Sequence, residues 1–166
     1  CAPVRAIIVV PCFNEEHRLP ADAFRAFRLN DHRVEFCFVN DGSTDNTLAV
    51  VNALHASDPE RFSVIDLEKN GGKAEAVRRG ILANLDRGAD VVGFWDADLA
   101  TPLAYISDFE NLLVRNQGLD MVLGARVRLL GSNIERKATR HYLGRVFAAA
   151  VSLTLRLRIY DSQCGA

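Results

Sequence analysis

No stretch of the 166-residue sequence approaches the ~18–20 consecutive apolar residues that cross a bilayer, so membrane contact by these residues is expected to be peripheral. No secretory signal is visible at the start, and there is no internal repeat, low-complexity tract or linker-like stretch. Cysteine is sparse: Cys1, Cys12, Cys37 and Cys164 form no CxxC pair and no His/Cys cluster at zinc spacing. All four read as free thiols in a reducing compartment, with Cys12 and Cys37 as buried small hydrophobes. Two nucleotide signatures are also missing, GxxxxGK[ST] and a GxGxxG after the first strand. Their absence weighs against a P-loop NTPase or a dinucleotide enzyme, so any nucleotide must be held another way.

What is present suits a single globular domain with a real core, at 49% hydrophobic and 25% charged residues. The chain starts at Cys1 without an initiator Met and stops in YDSQCGA. It is therefore expected to be one domain over 1–166, truncated at its C-terminus. The net charge of −1 hides an asymmetry. Residues 1–125 carry 12 Lys/Arg against 19 Asp/Glu, a balance of −7, whereas 126–166 carry 8 against 2, a balance of +6. A basic end on an acidic body suggests an anionic partner there, a phosphate or a membrane surface. A solvated basic helix face is the competing explanation.

Short apolar runs alternate with helical patterns. RAIIVVP (5–11), VEFCFVN (34–40), FSVIDL (62–67), DVVGFW (90–95) and DMVLGA (120–125) predict strands, being rich in β-branched and aromatic residues. Helices are expected at 20–29, 45–56, 73–88 and 103–116, the third on the spacing of Ala74, Val77, Ile81 and Leu85. Such alternation predicts an α/β fold, a mostly parallel sheet flanked by helices on both faces. Ligands of these sheets bind beyond the carboxyl ends of the strands.

Those ends carry PCFNEE (11–16), NDGSTDNT (40–47), KNGGKAEA (69–76), DADLATP (96–102) and GAR (124–126). Each has a plain structural explanation. Ser43, Thr44 or Asp45 can cap the next helix, NGG can be a tight turn, and Lys73 can be a solvated first-turn residue. Asp96 and Asp98 can be turn formers, or, in extended backbone, can point the same way and hold a hard divalent cation. Five polar ends on one edge favour a site.

In this order the motifs resemble the family 2 glycosyltransferases of GT-A (Rossmann-like) fold. RHYLGRVF (140–147) and YDSQCGA (160–166) bring the likeness closer to the dolichyl-phosphate β-glucosyltransferase and polyprenyl-phosphate glycosyltransferase branch. The resemblance implies that Pro11, Phe13, Glu15, Asp41, Lys73, Asp96 and Ala97 bind the nucleotide sugar. Phe13 would stack on the base, Glu15 accept from ribose hydroxyls, Asp41 accept from the base N–H, and Gly71, Gly72 and Lys73 approach the diphosphate. Asp96 and Asp98 match the family's DxD motif, with Asp98 the more direct ligand of Mg²⁺ or Mn²⁺. Ala100 stands where mannosyl relatives carry Gln, and Ala100-Thr101 match the glucosyl branch.

The family has a phosphate-binding Arg where Arg126 stands, and Arg136 and Arg140, four apart and on one face if helical, are expected to join it on the acceptor phosphate or the donor diphosphate. The resemblance adds Gln163 and Asp161 to the sugar and acceptor side, with Asp161 a candidate base if the acceptor is a hydroxyl. Arg suits bidentate phosphate recognition. The expected reaction is metal-dependent, inverting transfer of a hexose from a nucleotide sugar, UDP-glucose favoured, to a polyprenyl or dolichyl phosphate. The alternatives are transfer to a saccharide or other hydroxyl, and a non-catalytic nucleotide-sugar-binding module. No nucleic-acid partner is expected. The implied location is the cytoplasmic face of a membrane, with LGRVFAAAVSLTLRLRI either lying on that surface or packing on the sheet.

Overall fold

The computed structural model of the chain describes residues 4–29, 33–116 and 118–124. Strands β1 (Arg5–Cys12), β2 (Arg33–Asp41), β3 (Phe62–Leu67) and β4 (Val91–Phe94) form one sheet in the order β3-β2-β1-β4. All three pairings are parallel. Helices α1 (Ala21–Ala26), α2 (Thr47–Ser57), α3 (Lys73–Asn84) and α4 (Ile106–Arg115) fill the connections, with 3₁₀ turns at Leu85–Arg87 and Leu103–Tyr105. The expected α/β architecture is what forms.

Alternation along β1 divides the core into two layers. Ala6, Ile8, Val10 and Cys12 face Phe24 of α1, Val51 and Leu54 of α2, and Ile106 of α4. Ile7 and Val9 face the opposite layer, where Ala76 of α3 is buried. Phe24 meets Phe36 and Phe38 of β2 edge-on, with centroids 5.1 and 5.2 Å apart. Cys12 and Cys37 are buried free thiols, as read from their apolar surroundings. Cys1 and Cys164 lie outside the described residues.

Two expectations need correction. The buried row of α3 is Ala76, Gly80 and Asn84, whereas Ala74 and Leu85 are exposed. The reason is proximity: a Cβ built on Gly80 would fall 2.4 Å from Val9 Cγ1, so only small residues fit between helix and sheet. The helix also stops at Asn84, and the following 3₁₀ turn ends on left-handed Gly88 at φ 70°. The stretch expected as a fifth strand forms none over 120–124, its described part. A strand exists only through its ladder, and these residues make no ladder pairing to the four strands.

The strand order positions the site. From β1 the chain steps outward to β2 and β3, then returns to place β4 on the other side of β1. Loops leaving β1 and β4 therefore diverge at the carboxyl edge and open a crevice between them. Among the described residues no helix is long and apolar enough to cross a membrane.

Candidate active site

At that crevice lies a cleft of about 520 Å³ lined by Pro11, Cys12, Phe13, Glu15, Asp41, Asn70, Gly72, Lys73, Asp96, Ala97 and Asp98. All seven residues assigned to the nucleotide sugar line it, together with the second aspartate of DAD. Cys12 and Asn70 were not foreseen. Asn70 was visible in NGG only as a turn residue, and Cys12 joins because the last residue of β1 forms the floor.

The other polar residues of the first two loops are structural. Asn14 adopts a left-handed backbone at φ 52°, a conformation its short polar side chain tolerates. Its amide N–H donates to Ser43 Oγ at 3.1 Å, and its Oδ1 accepts from the Thr44 amide at 2.9 Å. Asp45, just before Asn46 at the N-cap of α2, accepts from the Thr47 amide at 3.0 Å and also receives the Glu16 amide at 3.2 Å. The Glu15 amide donates to Thr47 Oγ1 at 2.7 Å. Through these bonds PCFNEE and NDGSTDNT brace one another, which leaves Phe13 and Glu15 on the cleft wall. Phe13 is 43% exposed, so its ring offers a face to a planar ligand.

Asp41, 2% exposed, closes the end of β2. Its two carboxylate oxygens accept from the amides of Gly71 and Gly72, each at 2.8 Å. Those amides precede α3, so the carboxylate occupies the anion-seeking end of that helix. Gly71 and Gly72 thus support the loop through Asp41, and their amides are already engaged. Gly42 beside it has φ 62°, and a Cβ there would lie 2.5 Å from the Asn70 nitrogen. Glycine is what lets the β2 and β3 loops touch.

DAD is a turn, not extended backbone. The Leu99 amide donates to the Asp96 carbonyl at 3.2 Å, and Leu99 is left-handed at φ 51°. For a leucine this is a strained conformation, of the kind that gathers at functional turns. Asp98 Oδ1 accepts from the Ala100 amide at 3.0 Å. Below the turn, buried Trp95 donates its indole N–H to the Thr101 carbonyl and packs edge-on against Phe109, centroids 5.5 Å apart. Both aspartates line the same cleft through the turn rather than through strand alternation.

Four carboxylates and one cation line the cleft among the described residues. That cation, Lys73, pairs with Asp96 Oδ1. Burial pushes the Glu15 carboxyl above its ordinary value. The Arg18 guanidinium, 2.7 Å from Glu15 Oε1, opposes that shift, and the charges of Asp98 and Asp45 reinforce it. Glu15 Oε2 is buried with no partner, an acceptor facing no protein donor. Burial and the nearby Glu15 charge push the Cys12 thiol up, which makes it unreactive. Arg126, Arg136, Arg140, Asp161 and Gln163 lie outside the described residues.

The chain is similar to several known proteins. A 36% identical relative over 81% of the chain and 43% of its own length is a bactoprenol glucosyl transferase of Shigella phage SfV. Dolichyl-phosphate beta-glucosyltransferases of Dictyostelium discoideum and Drosophila melanogaster are 29% and 33% identical, over 95% of the chain and 51% and 52% of their own lengths. The chain spans about half the length of these curated relatives. A similar fold occurs in glucosyl-3-phosphoglycerate synthase from Mycobacterium tuberculosis, solved with uridine diphosphate. Its TM-score is 0.58 at 21% identity, covering 98% of this chain and 55% of that one. The model of glycosyl transferase family 2 matches residues 7–164, and the chain belongs to that family.

Proposed function

We propose that the cleft binds a nucleotide sugar, UDP-glucose in preference, and that the whole protein transfers the hexose with inversion to a polyprenyl phosphate. The observation that carries this is the convergence of Phe13, Glu15, Asp41, Lys73, Asp96 and Asp98 from four loops on one cleft. The glucosyl transferases among the relatives act on dolichyl phosphate or bactoprenol by name, which supports the donor sugar and the acceptor class.

A divalent cation fits the residues present. Among the described residues the cleft is lined by four carboxylates and a single ammonium, so a cation bound there would offset charge that opposes a diphosphate. Two carboxylates are the usual protein share for Mg²⁺ or Mn²⁺, which complete their shell with water and substrate phosphates. Asp98, exposed and with Oδ1 turned to the Ala100 amide, and Asp96 would hold it. When bound, the ion neutralises charge on the departing nucleoside diphosphate.

The chain's own residues supply the rest. Phe13 offers the base a stacking face, and Glu15, on the cleft wall, would accept from a ribose hydroxyl. Asp41 holds the loop from which Lys73 reaches the phosphates. In the transfer, the bond from the anomeric carbon to the donor phosphate oxygen breaks, and one to an acceptor phosphate oxygen forms on the opposite face. A phosphate oxygen is already an anionic nucleophile, so no base is required. Positioning and charge neutralisation suffice, and Arg126, Arg136 and Arg140, with Gln163, are proposed to provide them. Asp161 would act as base only toward a hydroxyl acceptor. Peripheral attachment at a cytoplasmic membrane face belongs to the same proposal.

The test is acceptor choice. UDP-glucose is incubated with Mn²⁺ and either dolichyl phosphate or free saccharides. A β-linked lipid phosphoglucose is expected, whereas glucosylated saccharide with no lipid product would reassign the acceptor.

A further inference from the structure

The Lys73–Asp96 pair joins the β3–α3 loop to the DAD turn across the cleft. Lys73 is the first residue of α3, an unfavourable place for a cation on a helix dipole. Its ammonium lies 5.9 Å over the centroid of Phe94 and contacts Asp96 Oδ1, so it points into the cleft rather than along the helix. Among the carboxylates that line the cleft, the one it pairs with is Asp96. Asp41 spends both oxygens on the Gly71 and Gly72 amides, and Asp98 Oδ1 accepts from the Ala100 amide. The Lys73 side chain is 52% exposed against 18% for Asp96, so the ammonium can leave more readily than the carboxylate can turn.

We infer that Lys73 is the resident counter-ion of Asp96 and exchanges places with the incoming cation. The inference rests on the nucleotide and metal reading above. With the cleft empty, the ammonium keeps Asp96 aligned and occupies the oxygen a divalent cation needs. When a nucleoside diphosphate enters, the ammonium turns to its oxygens and Asp96 is released. Lysine suits the exchange because it is a point charge on a flexible stem, able to swing between two anions. Diphosphate and cation therefore bind with a coupling that passes through Lys73.

Direct Mn²⁺ binding, measured by electron paramagnetic resonance without nucleotide, tests this. Wild type is compared with Lys73→Gln and with Lys69→Gln, which removes the same charge from the same loop outside the pair. Lys73→Gln is expected to bind Mn²⁺ about tenfold more tightly than wild type. Lys69→Gln is expected to stay within about threefold of wild type. Added UDP should tighten Mn²⁺ binding less in Lys73→Gln than in wild type. Equal Mn²⁺ affinity in the two variants, or unchanged coupling to UDP, overturns the exchange while leaving the nucleotide site standing. Absence of Mn²⁺ and UDP binding in all three proteins overturns the proposed function and the exchange with it.

Discussion

The Trp95 indole N–H donates to the Thr101 carbonyl oxygen at 2.7 Å, tying the end of β4 to the far side of the turn that carries Asp96 and Asp98. Trp95 is 3% exposed and its amide is held by the Val9 carbonyl at 2.8 Å, so the anchor is fixed to the centre of the sheet. Trp95→Phe keeps an aromatic ring but leaves that carbonyl without its donor. Thermal or denaturant unfolding should show a loss of about 1–3 kcal/mol. Calorimetry should show Mn²⁺-dependent UDP binding weakened with little change in its metal-free background.

Asp41 makes a similar tie on the other wall. Asp41→Asn leaves one oxygen for two amides and turns an NH₂ toward the second, so a donor faces a donor. A loss of about 1–3 kcal/mol in denaturant unfolding is expected. Hydrogen exchange at Gly71 and Gly72 should accelerate more than at the centre of α3. Protection unchanged at both glycines would show that the side chain does not hold the loop.

Two glycines of the site differ in what they tolerate. Gly42→Ala meets backbone atoms of Asn70 and Lys69 at 2.5 and 2.7 Å, on top of a left-handed φ of 62°. Gly72→Ala, at φ 87°, has nothing within 4 Å of the new Cβ. The first should cost several kcal/mol and the second about 1–2 kcal/mol, the conformational term alone. Melting temperatures of the two variants check the order.

Much of this layout is legible in the sequence, for identifiable reasons. β-Branched and aromatic runs such as AIIVV and FCFV mark strands that are buried on both faces, and the polar residues that follow them mark the edge where ligands bind. The motifs do not show which polar side chains reach the cleft. Asn14, Ser43, Thr44 and Asp45 look as functional as Phe13 or Glu15, yet they brace loops. The division depends on backbone at single residues, such as left-handed Asn14 and Leu99, which no periodicity encodes. The buried stripe of α3 was misplaced because hydrophobicity favours Val77 and Leu85, whereas close packing on Val9 requires Gly80.

Away from the cleft, Glu35 at the amino end of the sheet predicts a pH dependence of stability. Burial alone would raise its pKa, but the hydrogen bond from Arg5 and the charges of Arg5, Arg33 and Arg87 bring it below the ordinary value. The Arg5 Nε to Glu35 Oε1 distance is 2.8 Å. A depressed carboxylate contributes stability that is present above its unfolded pKa and is lost as pH falls through the folded one. Stability should therefore decline below about pH 4.5 more steeply in wild type than in Glu35→Gln. At neutral pH, Glu35→Gln should cost about 1–2 kcal/mol, since its arginine partners remain partly solvated.

Isothermal titration of UDP-glucose into the chain, in Mn²⁺ and again in EDTA, bears most directly on the site. Saturable binding that requires Mn²⁺ and disappears in Asp98→Ala, with the melting temperature of that variant preserved, is the predicted result. Binding of equal strength in EDTA and in Asp98→Ala would contradict the assignment of the DAD turn to a metal-held diphosphate.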